Sequence, residues 1–236
     1  ADAVEIRPFG NQSRIFNVDV IGNVLADTPF GVGVGARETD GFVDGLYVVS
    51  NDITANQTGV AVASERELGY VEVARNRVSN AEFGIGAEAA LDGDKLVNLV
   101  TEANVVTKTT VGVGIDGDVS ATVEESDLLD NDQGVAARGN ASVYIEGSNV
   151  TSNRVGLNAR GSANLNAAES TLMDNDQGVA ARENAFVDIE GSNVTSNRAG
   201  LNASDGATVN AARTEVVGND QGVAVGGNTS AAFVFQ

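Results

Sequence analysis

The 236-residue chain carries 33 acidic against 14 basic side chains, a net charge of −19, and has no histidine, no cysteine and one methionine. That inventory excludes Ser-His and Cys-His catalysis, imidazole or thiolate metal centres and disulfides. It also makes nucleic acid a poor partner, and no apolar run approaches the roughly twenty residues that a membrane-crossing helix needs.

In chain order, residues 1–27 hold enough alternating apolar positions for a first turn or a covering cap. A recurring glycine then marks each turn, at Gly31, Gly59, Gly84 and Gly112. The gaps of 28, 25 and 28 residues make residues 28–108 an irregular stretch with loop insertions around 37–45 and 91–98. Those insertions alone break the repeat, so they are the expected specific contact loops. From 109 to 236 the marker falls every 22 residues, at Gly134, Gly156, Gly178, Gly200 and Gly222. The 44 residues from Asn131 recur from Asn175, and each copy divides in two: NDQGVAAR at Asn131 is answered by NRVGLNAR at Asn153. Such a period predicts one continuous solenoid domain of about nine turns.

Within a turn, apolar residues alternate at a period of two, which predicts three short strands and disfavours helix. Val135, Ala137, Val143, Ile145 and Val150 point inward, followed one turn later by Leu157, Ala159, Leu165, Ala167 and Leu172. With only 5% aromatic residues, the core must be built from Val, Ile, Leu and Ala.

This pattern resembles the right-handed parallel β-helix repeat of the pectate-lyase-like, carbohydrate-binding and sugar-hydrolysis superfamily. The resemblance covers about residues 15–236 and implies an all-β, right-handed coil. At about 4.8 Å per strand, nine turns make a rod roughly 43 Å long. The fold carries lyases, hydrolases, adhesins and tailspikes alike, so it does not specify an activity. The acid excess, with twelve Arg against only Lys95 and Lys108, resembles proteins of extreme halophiles.

Two columns follow from the register. Asn131, Asn153, Asn175, Asn197 and Asn219 stack at one corner, where amides bond along the rod and tolerate a left-handed backbone. Beside them Asp132, Arg154, Asp176, Arg198 and Asp220 alternate in charge, which penalises a one-turn slip. A third column, Arg138, Arg160 and Arg182 with Asp116 before it, faces outward. With Asn158 and Tyr144 it forms the candidate glycan contact, and Ala136, Ala180, Asn202 and Ala224 are expected outward between the arginines. There are no rows of aromatics to stack on sugars.

Chemistry is otherwise scarce. The Gly-His-Gly motif of polygalacturonase-like relatives cannot exist here, and no lyase motif maps onto the arginines. The pairs Asp92/Asp94, Asp116/Asp118, Asp130/Asp132 and Asp174/Asp176 leave calcium as the one cofactor to consider, although none continues into a calcium loop; the expectation is no cofactor. Seven sequons, at Asn11, Asn56, Asn140, Asn149, Asn193, Asn202 and Asn228, are candidate glycosylation sites. Phe233 and Phe235 either plug the last turn or contact another subunit.

The leading expectation is a non-enzymatic structural or adhesive module, a filament, spike or cell-surface component of a halophilic archaeon or its virus. It would lie outside the cell, on its surface or on a virion, contacting itself or other surface proteins. The alternatives are a carbohydrate-binding module and a divergent polysaccharide lyase or hydrolase.

Overall fold

The computed structural model describes residues 3–8, 13–36, 42–64, 68–89 and 96–234. Among these residues all regular structure is β-strand, and the strands pair in parallel, each on its counterpart one turn later. In a regular turn three strands follow one another, for example Gln133–Arg138, Ser142–Glu146 and Asn149–Thr151. The second strands of all turns form one ten-stranded sheet in chain order. First and third strands form two further ladders. They join into a seventeen-stranded sheet because Val24–Ala36 and Asp52–Ser64 each run through a corner from third to first strand.

The coil starts before the first marker glycine. Val4–Ile6 pairs with Val32–Val34, and Arg14–Ile21 with Phe42–Val49, so the N-terminal segment supplies strands to the coil. The insertion segments 37–41 and 91–95 lie outside the described residues.

The interior is a set of vertical columns. Val135, Leu157, Val179 and Leu201 stack on the first strand, and Val143, Leu165, Val187 and Val209 on the second, each at most 1% exposed. Small side chains suffice because every buried residue is covered by its own repeat above and below, at a gain of about 1.5–3 kcal/mol per buried Val or Leu.

The marker glycines are required for space. A Cβ on Gly156 would stand 2.6 Å from the carbonyl oxygen of Gly178, and one on Gly134 would stand 2.4 Å from Val150 Cγ1. Beside them the asparagines form a buried amide ladder. Each Nδ2 donates to a main-chain carbonyl of the previous turn (Asn153 to Leu128, Asn175 to Val150, Asn197 to Leu172), and each Oδ1 accepts the backbone N–H of the asparagine one turn earlier. The left-handed residue of this corner is the one before the asparagine: Asp130, Ser152, Asp174 and Ser196 have φ of 56–57°. The asparagine side chain satisfies the backbone groups that this sharp corner would otherwise leave unpaired.

A second ladder at the opposite corner escaped the sequence reading. Asn23, Asn51, Asn76 and Asn104 are linked in the same way, N–H to Oδ1 at 2.9 Å for the first three steps. The row then continues as Ser126, Ser148, Ser170 and Ser192, hydroxyl oxygens accepting from backbone N–H at 3.1–3.2 Å. A shared column position before each third strand was its only sequence signal.

Candidate binding face

On the first-strand ladder three outward columns run side by side. One wall is Phe30, Thr58, Phe83, Val111, Gln133, Val155 and Gln177, each aligned with the next. The floor is Ala61, Gly86, Gly114, Ala136, Asn158 and Ala180. The other wall is Ala63, Glu88, Asp116 and Arg138, and the ladder continues through Arg160 and Arg182, whose N–H groups donate to Ala137 and Ala159.

Where the floor is only alanine or glycine, the walls leave a cleft of about 290 Å³ lined by Phe30, Phe83, Glu88, Asp116 and Arg138. The Phe83 ring lies over Gly114, where an added Cβ would come within 3.1 Å of it. The cleft therefore has an aromatic wall, a flat floor and a charged wall of two carboxylates and one guanidinium on successive rungs. Beyond it, Asn158 fills the floor and donates through Nδ2 to Gln133 Oε1 at 2.6 Å.

A family model described as a right handed beta helix region matches residues 91–235. The chain belongs to this family. Among solved structures, the A-module of the mannuronan C-5 epimerase AlgE4 from Azotobacter vinelandii is similar, with a TM-score of 0.43 and 11% identity over 96% of this chain and 89% of that one. No curated protein matches the sequence.

In this β-helix the sequence-selected residues fall into separate places. Arg138, Arg160, Arg182 and Asn158 share the first-strand face. Tyr144 lies on the second-strand sheet, between Thr122 and Asn166, and so on another face. Desolvation and then the nearby Glu146 carboxylate raise its phenol pKa. Tyr70, on the same sheet, pairs with Tyr47 at a ring separation of 6.0 Å and donates to Glu72; burial and that carboxylate push it up to about 12. Ala136, Asn158 and Ala180 were expected on an open surface. They do occupy the outward columns, but they are only 2–4% exposed, because the longer side chains of the flanking columns rise beside them.

The Asp/Arg column is paired unevenly. Arg154 binds Asp132 with both Nε and Nη2, the latter at 3.0 Å, whereas Arg198 Nε stands 4.0 Å from Asp176 Oδ1. The Arg154 hydrogen bond holds the Asp132 carboxyl below the usual carboxylate range. A depressed folded-state pKa contributes stability that is present above the unfolded value and lost as pH falls through the folded one. We expect Arg154→Gln to return the Asp132 titration toward its ordinary value and to flatten the acid limb of stability, followed by NMR titration and by melting temperature between neutral and acidic pH. The effect will be small, since both side chains are partly exposed.

Of the sequons, Asn56, Asn140, Asn149, Asn193 and Asn228 are exposed and Asn202 is half-buried; Asn11 lies outside the described residues. Phe233 follows Ala211 in an inward column and packs against the core, while Phe235 lies outside the described residues. Among the described residues no three carboxylates converge as metal ligands, and Asp92 and Asp94 lie outside them.

Proposed function

We propose that this β-helix is a polysaccharide-binding module that holds an extended glycan along its first-strand face. The cleft carries the reading. Two phenylalanines two rungs apart, Phe30 and Phe83 with Thr58 between them, supply apolar surface for a sugar ring. Glu88, Asp116 and Arg138 supply donors and acceptors for its hydroxyls opposite them. The parallel rungs continue the three columns along the axis beyond the cleft, the direction in which a polymeric ligand extends.

Calorimetric titration against a panel of neutral and charged oligosaccharides tests this. Phe83→Ala is expected to weaken binding by about tenfold or more, the loss of one ring-stacking contact. Gly86→Val, whose Cβ meets nothing closer than 3.7 Å, fills the cleft and should abolish binding while the melting temperature is unchanged. Undiminished affinity in both variants would exclude the cleft.

A further inference from the structure

The arginine column beyond the cleft carries like charges on successive rungs, as the column of Glu102, Glu124 and Glu146 does on the second-strand sheet. Arg138, Arg160 and Arg182 occupy successive rungs, about 4.8 Å apart, so three guanidinium groups stack like on like. In the neighbouring corner column of the same repeat, arginine alternates with aspartate and is paired with it. Among the described residues none of Arg138, Arg160 and Arg182 is ion-paired, although acids outnumber bases 33 to 14 in the chain. Like charges stacked on adjacent strands oppose the fold; Asp116 stands one rung before Arg138 in the same column, whereas the floor and far wall beside Arg160 and Arg182 are the uncharged Asn158, Ala180, Val155 and Gln177.

A second observation points to a ligand. Two polar atoms on one rung are buried without a hydrogen-bond partner: Arg160 Nε, a donor, and Asn158 Oδ1, an acceptor. They belong to outward side chains two residues apart on one strand, yet do not bond each other. Asn158 is 4% exposed, and its amide is held in place through its other end by Gln133. An orphaned acceptor beside an orphaned charged donor suits a molecule that offers a hydroxyl and an anionic group close together.

Resting on the glycan reading above, we infer that Arg138, Arg160, Arg182 and Asn158 form a subsite for an acidic polysaccharide, running along the coil axis and presenting a carboxylate or sulfate group to each rung. The guanidinium forks bind the oxyanions, and the Asn158 Oδ1 accepts a sugar hydroxyl. The cleft at Phe30 and Phe83 takes the same strand further along. Neutral polysaccharide satisfies the cleft and leaves the arginines unpaired.

Binding of dextran, dextran sulfate and polygalacturonate, measured by calorimetry at several salt concentrations that keep the protein folded, tests the subsite. The expected result is that the anionic polymers bind at least about tenfold more tightly than dextran. Arg160→Gln/Arg182→Gln should erase that margin and flatten the salt dependence. Arg160→Lys/Arg182→Lys keeps the charge without the fork and should restore only part of it. Whichever of the two anionic polymers binds more tightly separates sulfate from carboxylate. If the double Gln variant binds anionic polymers as wild type does, or if dextran binds equally well, the subsite is overturned and the cleft reading survives. If wild type binds no glycan of the wider panel, both are overturned. Unchanged thermal melting of the variants guards against misfolding.

Discussion

Asn175→Ala is expected to destabilise the coil by about 3 kcal/mol or more, because it removes the side-chain partner of two buried main-chain groups at the corner one turn earlier. The Asn175 side chain accepts from the backbone N–H of Asn153 at 2.9 Å, donates to the Val150 carbonyl at 3.0 Å, and bonds the amides above and below it. Removing it leaves the Asn153 N–H and the Val150 carbonyl in a corner where Asn153 and Asn175 are 3% and 2% exposed, with little access for water. The comparison is Asn149→Ala, which deletes an exposed bond of similar length to Asp127 and should change stability by less than about 0.5 kcal/mol. Urea denaturation at fixed salt reads both. Equal midpoints for Asn175→Ala and wild type would show that the amide ladder contributes nothing net.

The second large effect is steric. Gly156→Ala places a methyl group 2.6 Å from the Gly178 carbonyl oxygen, and the obstructing atom is backbone held in the ladder, so neither side can yield cheaply. Overpacking of this kind costs about 1–3 kcal/mol where side chains can shift; here the upper end or beyond is expected, because relief would require separating two turns. Gly226→Ala is the control, with nothing within 4 Å of its added Cβ. A Gly156→Ala protein that melts with the control would mean that adjacent turns move apart freely.

Most of the fold was legible for a simple reason. A solenoid repeats each environment, so a column such as Val135, Leu157, Val179 and Leu201 declares itself several times over in one chain. The period, the three strands per turn, the inward columns and the glycine marker all follow from that redundancy. The Asn23 to Asn104 ladder was missed because its positions change identity to serine halfway along and because the early turns are spaced irregularly; bonding geometry, rather than residue type, unites it.

The binding face was legible only in part. Its arginines and Asn158 could be picked out as an outward column, but not the cleft, which needs Phe30 and Phe83, 53 residues apart in the irregular early turns, brought two rungs apart on one wall while the floor shrinks to Gly86 and Gly114. Tyr144 was legible as an outward residue of the second strand, where the structure places it; that this strand's sheet is a separate face from the arginines depends on where the corners fall.

By itself, then, the sequence determined the coil, its 22-residue period and the make-up of its columns, since those depend on local alternation repeated at a fixed interval. Only the tertiary structure decided which walls flank which floor, and that Arg154 reaches back to Asp132 and the Arg138 column remains unpaired. Those outcomes depend on corner geometry and side-chain direction between neighbouring columns, which a one-dimensional pattern does not carry.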